Sequence, residues 1–99
     1  MPTYITLVKL TDQGMKDIKG LTERIHKLME AGGQQPGEGR ITGLWWTQGQ
    51  YDAVLVGEWP DAESVSVAAL SSAIRGHYRG ETVRAFTSEE MVQLVQQLP

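Results

Sequence analysis

The sequence contains no cysteine, which excludes disulfide bonds and thiolate chemistry and is typical of a reducing compartment. The first residues, MPTYITLVKLTDQ, show neither a basic segment nor the apolar segment of a signal peptide, so we expect a cytoplasmic protein. Histidine is scarce as well, because only His26 and His77 occur, without HxxxH or HExxH spacing. We therefore expect no metal site and no cofactor.

Positive charge is also scarce, with 9 Lys and Arg against 12 Asp and Glu, for a net charge of −3. No basic stripe is present, so nucleic acid is not an expected partner. No apolar run approaches the roughly 20 residues that a membrane helix needs, so no membrane association is expected. The length of 99 residues and the 40% hydrophobic content are ordinary for a globular protein, and we expect one domain over residues 1–99.

Hydrophobic periodicity predicts the order strand, helix, strand, strand, helix, strand, helix. The four strands are predicted at residues 3–10, 40–47, 51–59 and 79–87. Residues 33–39 are predicted to form a polar loop, and Gln48-Gly49 a tight turn between the second and third strands, since glycine supplies the positive φ that such turns need.

Three helices fit the remaining segments. The first begins at Thr11 or Asp12 and ends at Gly32-Gly33, with Gly20 as a candidate break. The second covers about residues 62–76, and the third is a short amphipathic helix after Thr87, which has the spacing of a capping box with Glu90.

This order predicts an α+β, ferredoxin-like βαββαβ fold with a short C-terminal helix. Two right-handed crossovers would place both main helices on one face of a four-stranded antiparallel sheet. The other face would remain bare although it carries apolar side chains, and such a patch marks an interface. Two copies stacked sheet to sheet would cover it, so we expect a homodimer or a higher oligomer.

Three stretches resemble the GYD-domain family of small bacterial and archaeal proteins: WWTQGQYDAVLVGEWPD at 45–61, ETVRAFTSEEM at 81–91 and YITLVKLTDQGMKDIK at 4–19. Gln50 stands where the glycine of the family's Gly-Tyr-Asp triplet would stand, and Tyr51 and Asp52 follow it. The resemblance implies a dimeric α/β barrel of ferredoxin-like subunits. It implies no general activity, and fold alone does not transfer chemistry.

The candidate ligand-binding residues are Trp46, Tyr51, Asp52 and Arg84. Strand alternation predicts Tyr51 on one face with Ala53, and Asp52 on the opposite face. The Asp52 carboxylate either binds a donor or moves a proton at the rim of a cavity, or it accepts backbone N–H groups at the end of the hairpin.

Trp45 and Trp46 should point to opposite faces, with one of them packed under the helices, and Trp59 is predicted to be a packing lid. Arg84 either holds an anionic ligand or forms a salt bridge with Asp52 or Glu58, of its own chain or of a partner copy. His77, near the predicted sheet rim, is either a general base or an ordinary surface group.

Three functions follow from these residues. The preferred one is a homodimer that binds a small molecule in or near a cavity of the sheet. The second is a cofactor-free monooxygenase, isomerase or dehydratase, in which Asp52 or His77 would move a proton and Arg84 would stabilise an oxyanion. The third is a structural oligomerisation module without a ligand.

Overall fold

A computed structural model describes residues 1–99 and contains one antiparallel sheet of five strands and four helices. The strands are β1 (Thr3–Leu10), β2 (Gln34–Gln35), β3 (Gly39–Trp46), β4 (Ala53–Glu58) and β5 (Tyr78–Ala85). The helices are α1 (Asp12–Lys16), α2 (Ile18–Glu30), α3 (Ala62–Arg75) and α4 (Ser88–Val95). The order of strands across the sheet is β2-β3-β4-β1-β5, which gives the expected ferredoxin-like arrangement one extra edge strand.

The extra strand β2 corrects the prediction of a four-stranded sheet. Gln34 pairs with Arg40 and Gln35 pairs with Gly39 in antiparallel register, inside the segment 33–39 that the sequence predicts as a loop. Polar composition suggested a loop, but an edge strand is held by backbone N–H and C=O groups, which need no apolar side chains.

The first predicted helix is divided, and the division lies at Asp17 rather than at Gly20. Asp17 leaves the helical region with φ −97° and ψ 14°, and its carboxylate lies 3.2 Å from Nε2 of His77. Gly20 remains inside α2, where it is exposed. The prediction of a break at Gly20 was wrong, because α2 continues through Gly20 despite the low helix propensity of glycine.

The hairpin between β3 and β4 has a longer loop than the predicted turn at Gln48-Gly49. The backbone N–H of Thr47 donates to the carbonyl of Asp52 at 2.9 Å, and four residues lie inside this closing pair. Gly49 adopts φ 116°, as the turn argument required, whereas Gln50 keeps a negative φ. The glutamine at the place of the family's triplet glycine therefore fits without backbone strain.

The centre of the core lies between α3 and the sheet, where Tyr4, Trp59, Val65 and Ala68 form one buried cluster. The rings of Tyr4 and Trp59 meet edge to face with centroids 6.3 Å apart. Trp59 is only 3% exposed, and its indole N–H donates to the carbonyl of Pro36 at 3.0 Å. Trp59 was predicted to be a lid, but it is the largest side chain of the core.

The opposite side of the sheet, which we call the open face, carries the side chains Ile5, Leu7, Trp45, Val54, Val56 and Val83. Trp45 is 59% exposed and Val83 is 43% exposed. Helix α4 buries none of its residues, although the predicted capping box between Thr87 and Glu90 is confirmed. None of the helices has both the length and the apolar character needed to cross a bilayer.

Candidate functional site

A cavity of about 540 Å³ lies between α2 and the sheet, on the face opposite the open face. Its size falls within the range of about 300–1,000 Å³ that is usual for small-molecule sites. We call it the α2 cavity; its 15 lining residues are Val8, Leu10, Leu21, Arg24, Ile25, Leu28, Gln35, Ile41, Leu44, Trp46, Ala53, Leu55, Arg75, His77 and Tyr78.

The two walls of the α2 cavity follow from ordinary periodicity. On the sheet, Leu44 lies opposite Leu55 and Trp46 lies opposite Ala53, so all four side chains point to the same face. On α2, the lining residues recur at steps of three and four, at positions 21, 24, 25 and 28, and therefore share one face of the helix. Leu21 is the only residue of α2 that is fully buried, so the rest of the helix stands away from the sheet.

Two arginines and one histidine reach this mainly apolar space: Arg24 from α2, Arg75 from the end of α3, and His77 from the link to β5. His77 is engaged through Nε2 by the carboxylate of Asp17. Arg24 and Arg75 make no salt bridge and no side-chain hydrogen bond. No Asp or Glu lines the cavity, so its charge is positive in a chain whose net charge is negative.

A smaller cavity of about 160 Å³ lies under α3 and adjoins the α2 cavity. The two share Gln35, Ile41, Leu55 and Tyr78 in their linings. The hydroxyl of Tyr78 donates to Oγ of Ser72 at 2.9 Å. This hydrogen bond ties the floor shared by the two cavities to α3.

Two of the residues singled out from the sequence, Trp46 and His77, line the α2 cavity. Trp46 is the member of the tryptophan pair on the helix side, and Trp45 lies on the open face. The structure thus decides the orientation that alternation alone left open. Tyr51, Asp52 and Arg84 do not line this cavity.

Asp52 completes the end of the sheet. Its carboxylate accepts the backbone N–H of Leu10 at 2.8 Å, and its own N–H donates to the carbonyl of Val8 at 2.8 Å. Because β4 begins only at Ala53, the alternation that predicted the face of Asp52 does not extend to it. Of the two predicted roles of Asp52, this geometry is the structural one, in which the carboxylate accepts a backbone N–H group at the end of the hairpin.

Arg84 lies near the far end of β5 from His77, opposite Tyr4 in the register. Its guanidinium donates to the carbonyls of Thr3 and Ala85 and lies 3.5 Å from the carboxylate of Glu90. Within the chain, Arg84 pairs with Glu90 rather than with Asp52 or Glu58, because the start of α4 brings Glu90 to this edge strand. Arg84 also stacks on Phe86, with 4.4 Å from its guanidinium carbon to the ring centroid.

Tyr51 precedes β4, and its hydroxyl donates to the Glu81 carboxylate at 3.1 Å. This hydrogen bond, with the negative charge of Glu81, raises the pKa of the Tyr51 phenol above its ordinary value. Glu81 pairs with Leu7, whose side chain is on the open face. Tyr51 was expected on the face of Ala53, but its phenol reaches the other side of the sheet, because the loop before β4 is not bound by strand alternation.

Arg24 and Arg75 are the functional candidates that the sequence reading missed. One signal was available: Arg24 interrupts the apolar spacing of Leu21, Ile25 and Leu28, and no acidic residue stands three or four positions from it. The outer side of α2, by contrast, carries the pairs Glu23–Lys27 and His26–Glu30. No group of three or more His, Asp or Glu side chains is placed to hold a metal ion.

Comparisons with known proteins agree with this architecture. The "glutamine synthetase and cystathionine beta-lyase binding protein" of Thermus thermophilus is 33% identical over 92 residues, which cover 93% of this chain and 96% of that protein. The crystal structure of TTHA0845 from Thermus thermophilus superimposes with a TM-score of 0.60 at 22% identity, over 89% of this chain and 96% of that one, which shows a shared fold. A sequence model of the GYD domain matches residues 4–95. The chain therefore belongs to the GYD domain family.

Proposed function

We propose that this protein is a single-domain, cytoplasmic homo-oligomer that binds a small, largely apolar molecule in the α2 cavity. The observation that carries the proposal is the cavity itself, about 540 Å³ in volume and lined mainly by apolar side chains with a few polar groups. This combination is the usual form of a ligand site. A bound apolar molecule would remove the apolar walls of the cavity from water, which is the main favourable contribution to such binding.

Binding is supported better than catalysis. A cofactor-free enzyme of the predicted kind needs at least two reactive side chains that converge on one space. His77 lines the α2 cavity, but Asp52 is occupied by the backbone of Leu10, and Arg84 is occupied by Thr3, Ala85 and Glu90. The residues assigned to proton transfer and to oxyanion stabilisation therefore have separate structural roles.

The binding proposal is tested with N-phenyl-1-naphthylamine, an uncharged dye whose fluorescence rises in apolar surroundings. We expect saturable binding by the native protein and a loss of at least about tenfold in affinity when Leu28→Trp fills the cavity. If Leu28→Trp folds poorly, Ile25→Phe replaces it in the test. Because its side chain fills less of the cavity, it should lower the dye affinity by a smaller factor. Val67→Trp, on the exposed side of α3, is the matched control and should leave dye binding unchanged. Equal binding by all variants would refute the proposal.

Self-association is supported by the open face. Ile5, Leu7, Val54 and Val56 form its centre and are only partly covered, while Trp45 at its margin is more than half exposed. Apolar surface of this extent is typical of an interface. A two-fold pairing would bury the same face of both copies, and α4, whose apolar residues are all exposed, could then contact the second copy.

The oligomer is tested by multi-angle light scattering at micromolar concentration. We expect twice the mass of one chain or a higher multiple, and we expect Val83→Lys on the open face to shift the protein toward the monomer. Val67→Lys is the control, since Val67 is a valine of similar exposure on α3, and it should not change the mass. A monomeric native protein would contradict the proposed self-association.

A second candidate function is the binding of another protein. The Thermus thermophilus relative is named for binding glutamine synthetase and cystathionine beta-lyase, and the exposed apolar side of α4 offers a contact surface that the fold of one chain does not use. Sedimentation velocity of this protein mixed with either enzyme tests the idea. A co-sedimenting complex that Leu94→Glu abolishes would support it, and independent sedimentation with both enzymes would refute it.

A further inference from the structure

We propose that the ligand of the α2 cavity is an apolar carboxylic acid, and that Arg24 and Arg75 bind its carboxylate. The inference deepens the proposed function and rests on it, because it assigns a chemical class to the molecule in the same cavity. Nothing in the family match assigns a role to either arginine.

The lining of the α2 cavity is positively charged. The chain has more acidic than basic residues, yet the lining of the α2 cavity contains two arginines and no Asp or Glu. Both arginines are exposed, so their charges act at the solvent-facing side of the cavity, where a bound anion would lie against both positive charges and apolar walls. A dianion or a highly polar anion fits poorly, since 11 of the 15 lining residues are hydrophobic.

The arginines of the chain differ in whether they have a carboxylate partner. Arg40 lies 3.7 Å from Glu58 and Arg84 lies 3.5 Å from Glu90, so these two arginines already have carboxylate partners. Arg24, Arg75 and Arg79 have none, and of these three only Arg24 and Arg75 line the α2 cavity. A guanidinium presents donors in a planar fork that matches a carboxylate, and it is less strongly hydrated than an ammonium group. Both arginines are therefore free to bind an external carboxylate.

The two arginines of the lining come from two different helices. Arg24 extends from the middle of α2 and Arg75 ends α3, so one arginine lines the cavity from each helix. The sheet floor beneath them is apolar and includes Val8, Leu44 and Leu55. A molecule with its hydrocarbon or aromatic body on the sheet and its carboxylate toward the helices satisfies both regions.

The test compares two molecules that differ only in the head group, decanoate and decan-1-ol. Decanoate, kept below its micelle concentration, and decan-1-ol, kept below its solubility limit, are each titrated against N-phenyl-1-naphthylamine bound to the native protein. We expect decanoate to displace the dye at a concentration about tenfold lower than decan-1-ol, the factor expected for a charge-assisted hydrogen bond.

The double variant Arg24→Gln/Arg75→Gln should bring the two displacement constants to within about twofold while leaving the affinity for the uncharged dye unchanged. Lys19→Gln/Lys27→Gln removes the same two charges from side chains of α2 that do not line the cavity, and it should keep the preference for decanoate. This control separates contact with the carboxylate from the general charge of the protein.

The outcomes distinguish the two proposals. Dye binding that Leu28→Trp abolishes, without a preference for decanoate, overturns the carboxylate assignment and leaves the proposed function standing. Equal loss of the preference in both double variants also overturns the carboxylate assignment alone. Failure of the native protein to bind the dye overturns the proposed function, and the carboxylate assignment is then overturned with it.

Discussion

The two long helices cover the same face of the sheet in different ways. Helix α3 presents Val65 and Ala68 to Tyr4 and Trp59, and the four form a buried cluster. Helix α2 buries only Leu21 completely, and a cavity of about 540 Å³ separates its other apolar residues from the sheet. The α3 half therefore contains the buried cluster and only a small cavity of about 160 Å³, whereas the α2 half contains the larger cavity.

The difference comes from the side chains on the sheet. Under α3, Trp59 fills the space, and Gly39 and Gly57 accommodate its ring because an added Cβ at either position would overlap it. Under α2, the floor includes the small Ala53, and Trp46 is 42% exposed at the cavity rather than buried in it. Close packing needs a large side chain together with small neighbours, and only the α3 half has both.

The largest expected effect is that of Trp59→Ala. It should lower the free energy of unfolding by about 3–5 kcal/mol, because it removes a buried aromatic ring and leaves a cavity. Trp46→Ala, the matched change on the α2 side, should cost about 1 kcal/mol or less, since Trp46 is partly exposed. Urea denaturation measures both, and equal losses would show that the two halves do not differ as described.

Glycine-to-alanine substitutions compare the packing of the two halves through smaller changes in stability. Gly57→Ala should destabilise the fold by about 1–3 kcal/mol, because the new methyl group would meet the Trp59 ring and, at 2.8 Å, the carbonyl of Arg40. Gly20→Ala in α2 should stabilise the fold by about 0.5–1 kcal/mol, because only the flexible end of the Arg24 side chain lies near it and alanine favours the helix. Thermal unfolding gives the signs, and destabilisation by Gly20→Ala would contradict the open packing of α2.

The smallest effect concerns the helix starts. Asp61 caps α3 by accepting the N–H of Ser64 at 2.8 Å, and this backbone hydrogen bond lowers the pKa of Asp61 below its ordinary value. A lowered folded-state pKa stabilises the fold above the ordinary value of about 3.9, and the contribution disappears as the pH falls through the lowered pKa.

The start of α2 has no side-chain cap, so the pH effect belongs to the α3 half. Asp61→Asn keeps a capping side chain but loses the charge, so its unfolding temperature should vary less than that of the native protein between about pH 5 and pH 2. Thermal melts across this pH range measure the difference. Glu63→Gln, which removes a charge from the same turn and keeps the cap, is the control. Identical pH profiles for the native protein and Asp61→Asn would contradict the role of the cap.

Local patterns predicted most elements. The strands β1, β3, β4 and β5, the helix α3 and the capping box of α4 follow from alternation, apolar spacing and capping residues. The sequence did not predict β2, which depends on backbone pairing at a sheet edge. It also did not predict the division at Asp17, whose side chain contacts a residue 60 positions away.

The candidate site was predicted in part. Trp46 and His77 were singled out, and the structure places both in the α2 cavity. Asp52 and Arg84 were candidates because their charges interrupt apolar runs, but each satisfies nearby backbone groups, an alternative that one sequence cannot separate from ligand binding. Arg24 and Arg75 belong to different helices, so their common cavity is visible only after folding.

By itself, the sequence determined the type of each main element and the division of the hairpin aromatics between two faces, because these depend on neighbours within a few residues. Only the tertiary structure decided that Trp46 faces the helices, that Trp59 fills the core, and that α2 stands away from the sheet. It also brings two arginines without salt bridges, from different helices, to the lining of one cavity. These features depend on how volumes and charges from distant segments fit together, and packing of that kind has no signature in local sequence.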